Sequence, residues 1–154
     1  MRRSDREITD LDEIVDVMKR CDVCRLAFAD GEYPYILPLN FGMDHTDGKI
    51  VLYFHSAMEG YKTDLIKRCS KVSFEMDCNH ALQYFEEKGY CTFSYESVIG
   101  SGVLSIVAES EKETALDKIM EHYHKGQKAP YSHAAIPRTL VYKLEVSRVT
   151  GKRK

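Results

Sequence analysis

The sequence contains no apolar run approaching the roughly 18 residues that a helix needs to cross a bilayer. Its first ten residues, MRRSDREITD, are charged and lack the apolar centre of a secretion signal. A cytoplasmic location is therefore expected. Positive charge is not in excess: 22 Lys and Arg against 24 Asp and Glu give a net charge of −2. No global field attracts nucleic acid or an anionic membrane. A disulfide framework is missing too, because the five cysteines (Cys21, Cys24, Cys69, Cys78 and Cys91) are odd in number and scattered. Cys21-x-x-Cys24 has no second CxxC or HxxxH to complete a zinc site. It falls where a helix ends and a strand begins, whereas a thioredoxin-type pair opens a helix. Buried thiols are the better reading, and a metal-stabilised interaction domain fails on ligand count. Repeats, low-complexity tracts and linkers are absent as well. What is present, 154 residues with 44% apolar and 30% charged, suits a single domain spanning 1–154 with a real core.

Periodicity supplies the elements. Thr9 followed by Asp12 resembles an N-cap with an acidic first turn. Leu11, Ile14, Val15 and Met18 then mark one face of a helix ending near Cys21. Alternation takes over in three strands, 23–29, 34–42 and 49–55, joined by turns at Asp30-Gly31 and Asp47-Gly48. Pro38 cannot donate to a ladder, so the middle strand needs an edge or a bulge there. A helix over 59–69, with Lys62, Leu65, Ile66 and Cys69 on one face, leads to a strand over 71–77. The segment CNHALQYFEEKG reads as a loop or a short helix. Strands 90–98 and 102–109 are separated by IGSG, and a helix over 111–124 and a final strand TLVYKLEVSRV follow. Hairpin connections with peripheral helices do not suit a doubly wound parallel sheet. They predict a mainly β fold, a small antiparallel barrel of six to seven strands with about three helices.

The chemistry concentrates in LYFHSAMEGYK (52–62), where His55 and Ser56 end a strand and Gly60 to Lys62 open a helix. Free N–H groups at a helix entrance, a hydroxyl before it and a lysine within it form a seat for phosphate. The same residues also read as a turn, a flexible glycine and a solvated lysine. Two other stretches bear on the choice. YILPLNF (35–41) breaks its own ladder at Pro38 beside Asn40, and YESVIGSG (95–102) is small and hydroxyl-rich. Such strands let a flat ligand approach the backbone, or simply carry a bulge. His122 and His124, two apart at a helix end, make a poor chelate, and Cys78-Asn-His80 lacks partners. Both read as surface or packing residues.

The blocks REITD, CDVCRLAF, DGEYPYILPLNFG, YFHSAMEGYKTDLI, VSFEMD, YESVIGSG and TGK, in this order, resemble the FMN-binding split-barrel superfamily of pyridoxamine 5′-phosphate oxidases. The resemblance is closer to its nitroimidazole-resistance (Nim-type) reductase branch. It implies an antiparallel split barrel and a homodimer with FMN at the subunit interface. Pro38, Leu39, Asn40 and Phe41 would line the isoalloxazine ring, with backbone N–H groups near its N5 and O4. His55 and Ser56 would contact the ribityl-phosphate region, and Lys62 the phosphate. Ser97 and Val98 would complete the site from the neighbouring subunit. The implied reaction is reduction of a nitro-aromatic or similar small acceptor, with His55 on the substrate side. Alternatives are a non-enzymatic FMN- or haem-binding protein and a pyridoxamine 5′-phosphate oxidase-like enzyme. Against the last, this chain has Tyr61-Lys62 where an Arg-Lys pair is usual, and ends VSRVTGKRK rather than in an Arg-Leu-x-Pro motif. Arg25 is the candidate replacement for the missing cation.

Overall fold

The computed structural model describes residues 3–124, 126 and 132–154. A short strand β1 (Glu7–Ile8) precedes helix α1 (Leu11–Arg20), which buries Ile14, Val15, Val17 and Met18. The helix is capped by Asp10, one residue later than the sequence suggests; its carboxylate accepts the Glu13 N–H at 3.0 Å. Strands β2 (Cys24–Phe28) and β3 (Tyr35–Leu39) form one hairpin, and β4 (Gly42–Thr46) and β5 (Lys49–Ala57) a second. The second turns on Asp47 and Gly48, both left-handed at φ 52° and 73°, the twist that a tight hairpin favours. Helix α2 (Tyr61–Arg68) leads into β6 (Lys71–Phe85) and β7 (Tyr90–Ile106), a long antiparallel pair. Helix α3 (Lys112–Tyr123), a 3-10 turn over His133–Arg138 and strand β8 (Thr139–Arg153) complete the order.

The sheet runs β3-β2-β6-β7-β8-β5-β4, with β1 added to β8. Its two edges, β3 and β4, are consecutive in the chain and joined only through Asn40 and Phe41. The sheet therefore curls until its edges nearly meet, and the crossover spans the split. This is the antiparallel barrel with peripheral helices that the residues predict, split as the resemblance implies, with eight strands among the described residues instead of six or seven. Alternate residues of each strand fill the interior, where Phe28, Phe41, Phe54, Phe74 and Tyr142 are fully buried. Cys21 and Cys24 are buried with them, and burial pushes both thiols well above the ordinary range.

Three expectations change. The strand expected over 34–42 is two strands, β3 and β4, on opposite edges; Pro38 lies on the edge strand β3, where no outer partner asks for its N–H. Most of CNHALQYFEEKG is neither loop nor helix: β6 continues to Phe85 beyond a bulge at Cys78–Ala81, where Asn79 is left-handed (φ 56°), and only Glu86–Lys88 form a short 3-10 helix. IGSG does not separate two strands but lies inside β7. A side chain at Gly100 would strike the Phe74 ring at 2.4 Å, and one at Gly102 the Glu145 carbonyl oxygen at 2.1 Å. The small residues there make room for the protein's own packing and for a register shift at Ser101/Gly102.

One network fastens the end of β8. Glu96, 7% exposed, accepts from Arg20 at 2.7 Å, from Asn79 at 2.6 Å and from Arg153 Nε. Burial alone would raise its pKa, but the hydrogen bonds from Arg20, Arg153 and Asn79 outweigh it and hold the carboxyl below the ordinary value.

Candidate functional site

Strand β5 alternates to its end, so His55 and Ser56 face opposite ways. Ser56 points into the barrel and is buried; its hydroxyl donates to the Ala57 carbonyl at 3.0 Å. The fully buried Thr63 donates to the same carbonyl at 3.2 Å. Two hydroxyls on one oxygen fix the start of α2 against the end of β5. Ser56 therefore shapes the seat from behind instead of presenting its proton to a ligand. Gly60, at φ 122° and ψ 165°, turns the chain into the helix through a conformation that suits glycine. Its carbonyl accepts from Thr63 and Asp64 at 2.9 and 3.2 Å, which leaves the N–H groups of Tyr61 and Lys62 at the open end.

Lys62 and Tyr61 have different employment. The Tyr61 hydroxyl donates to Asp30, which also pairs with Arg68 at 2.5 Å; the Arg68 guanidinium lies 5.9 Å from the Tyr61 ring centre. Tyr61 also meets the edge of Tyr35 at 5.4 Å, so it pins α2 to the β2–β3 hairpin. No carboxylate pairs with Lys62 among the described residues. Its charge reaches His55 instead. His55 is exposed to solvent; partial desolvation where it abuts a pocket, followed by the Lys62 charge, lowers its pKa. Arg25 is no spare cation: it is committed to Glu75 at 3.0 Å and Asp77 at 2.5 Å.

His55 looks toward α3. It lines a pocket of about 180 Å³ with Leu116, Ile119, Met120, Ile136 and Thr139. The crossover reaches the same end of β5, because Gly42 pairs with Tyr53 and Asn40 and Phe41 immediately precede it. Pro38 and Asn40 are exposed, whereas Leu39 and Phe41 are buried. The Phe41 N–H donates to the Tyr123 hydroxyl at 3.1 Å and is not turned to a ligand.

Within one chain Ser97 and Val98 are not part of this group. Ser97 pairs with Lys152 near the far end of β8, whereas His55 pairs with Val141 near its start. From Thr139 to Lys152 the strand extends about 40 Å. Val98 is fully buried in its own core. The structure thus puts Lys62 within electrostatic reach of His55 and brings the Asn40–Phe41 crossover to the same end of β5, with Ser97 and Val98 apart from them within one chain. Two contributors escape the sequence reading. Thr63 is signalled only by its place beside Lys62, and Tyr123 carries no signal beyond the stripe of its helix.

A split barrel with peripheral helices is the fold of a flavin-binding family. Residues 10–153 match the model of the pyridoxamine 5′-phosphate oxidase family, and the chain belongs to it. It is 32% identical to a candidate 5-nitroimidazole antibiotic resistance protein from Bacteroides thetaiotaomicron. That match covers 96% of this chain and 86% of the other, with a TM-score of 0.82. A FAD- and heme-binding protein from Mycobacterium smegmatis superposes with a TM-score of 0.81 at 15% identity, over 97% of this chain and 73% of the other. At that identity the likeness is one of fold. No curated protein matches the chain. Among the described residues no helix is long and apolar enough to cross a membrane.

Proposed function

We propose that this protein is an FMN-dependent oxidoreductase that reduces small nitro-aromatic or similar acceptors. It works as a cytoplasmic homodimer with FMN at the subunit interface. The observation that carries the reading is Lys62: a cation that pairs with no carboxylate among the described residues, at an open helix entrance, with its charge felt at His55. The donor set fits a phosphate. Lys62 Nζ and the N–H groups of Tyr61 and Lys62 are all donors, and the helix end carries partial positive charge. FMN, when bound, supplies two-electron redox chemistry, and the polypeptide positions and tunes it.

The residues divide the remaining work. Pro38 and Asn40 form the exposed wall for a flat ring, with the buried Leu39 and Phe41 supporting it from inside the barrel. Ser56 and Thr63 hold the phosphate seat in shape. His55, in its neutral form, offers one donor and one acceptor at the rim of an apolar pocket. A cavity of about 150 Å³ is enough for benzene, so the space of about 180 Å³ beside His55 suits a single ring. That favours a monocyclic acceptor over a haem macrocycle. Ser97 of the partner subunit closes the site, with only the backbone of the partner's Val98 beside it, since the Val98 side chain fills its own core.

The test is anaerobic. Protein loaded with FMN and chemically reduced is mixed with a 5-nitroimidazole. Concurrent return of the oxidised flavin band and loss of the nitro chromophore support the assignment. A protein that takes up no flavin, or whose reduced flavin ignores the nitro compound, defeats it.

A further inference from the structure

Helix α3 ends in a pair of contacts that the reading above does not use. The Tyr123 hydroxyl donates to the Asp22 carbonyl at 2.7 Å and accepts the Phe41 N–H at 3.1 Å. One proton and one lone pair are both employed, as a hydroxyl between a carbonyl and an amide requires. The preceding residue repeats the motion: His122 Nε2 lies 2.8 Å from the Cys21 carbonyl, so this nitrogen carries the proton, and its ring packs on Phe41 at 4.3 Å. Two successive residues of α3 thus grip two successive carbonyls between α1 and β2, and both touch Phe41. The helix also lies tight against the next residue, since a side chain at Gly42 would meet the Ile119 backbone nitrogen at 2.4 Å. Further back, Leu116, Ile119 and Met120 of the same helix line the His55 pocket.

We infer that Tyr123 is a positioning residue for the candidate cofactor site, clamping the Asn40–Phe41 crossover so that Phe41 turns inward and Asn40 outward. Phe41 packs in the core with its amide occupied, and Asn40 remains the polar group that the crossover exposes. Removing the hydroxyl frees the Phe41 N–H and cuts the tie to Asp22, while the ring can keep its contact with His122. The crossover then samples other shapes, and any flat ring lying on it is held less well.

The inference rests on the flavin reading, but its first measurement does not. Tyr123→Phe is compared with the unaltered protein, without cofactor, by hydrogen exchange at the Phe41 amide. Exchange accelerated about ten-fold is expected where a local bond is lost without global unfolding; an unchanged rate overturns the clamp. In the second measurement FMN is titrated into both proteins. An increase of about five-fold in Kd is expected, the size of one ordinary hydrogen bond acting indirectly. An unchanged Kd beside a lowered melting temperature makes Tyr123 merely structural and overturns the positioning role. If the unaltered protein takes up no FMN, the flavin reading and this role both fall, and the exchange result still decides whether the clamp exists. His122→Phe keeps a ring on Phe41 and loses only the Cys21 contact. It should lower thermal stability and leave the Phe41 amide protected; loss of that protection would place the clamp in His122 and overturn the assignment to Tyr123.

Discussion

Glu96 and Lys62 sit at opposite ends of the barrel and treat charge in opposite ways. Around Glu96 the charges are spent internally: two guanidinium groups and an amide converge on one nearly buried carboxylate. At the entrance of α2 the neighbouring polar groups are paired off one by one, Tyr61 and Arg68 with Asp30, Ser56 and Thr63 with Ala57. Lys62 is left over. A charge already satisfied inside the chain holds the fold; one left unsatisfied at a helix entrance is available to something outside it.

Substitutions should separate the two cases. Glu96→Ala should have the largest effect, about 2 kcal/mol of lost stability in urea unfolding, because it strands Arg20, Arg153 and Asn79. That figure already allows for the partial exposure of both arginines. Lys62→Ala should leave the unfolding midpoint unchanged and raise the FMN Kd about ten-fold, equivalent to about 1.4 kcal/mol. An unfolding shift without a change in Kd would reverse the contrast. Tyr142 supplies a third kind of polar group, buried in the core with no hydrogen-bond partner for its hydroxyl among the described residues. Tyr142→Phe should therefore raise stability by about 1 kcal/mol, the desolvation cost of an unpaired group. The smallest effect lies in the pH profile. A His55 pKa held below the ordinary 6.5 means that the unfolded chain binds the proton more readily. Stability should decline as pH falls below about 6.5, and His55→Gln should remove that part of the slope. The Glu96 contribution is lost only in stronger acid, below the ordinary value of 4.5.

Much of this was legible in the residues because periodicity and turn chemistry are local. The α1 stripe, the Asp47-Gly48 hairpin, Pro38 on an edge and Lys62 at a helix entrance all rest on spacings of a few positions. The failures share the opposite cause. PLNFG reads as one strand because nothing near Asn40 says that the chain leaves one sheet edge for the other; that depends on β5 pairing with β8, far along the sequence. IGSG looks like a break because the Phe74 ring that fills the space at Gly100 is likewise distant in sequence. His55 and Ser56 are adjacent in the chain, but alternation along β5 separates them to two faces with different work. Arg25 looked spare only because Glu75 and Asp77, which neutralise it, lie on another strand.

The crossover at the split also bears on how the molecule is assembled. The hairpins β2–β3, β4–β5 and β6–β7 need only local closure, but joining β2 to β6 and β5 to β8 requires contacts between distant parts of the chain. Asn40 and Phe41 link two hairpins that become opposite edges only after those late pairings form. The wall of the site is therefore missing from any partly folded chain. A ligand resting on that wall recognises the finished barrel alone, and it stabilises the native state by RT ln(1 + L/Kd), growing with the free ligand concentration L.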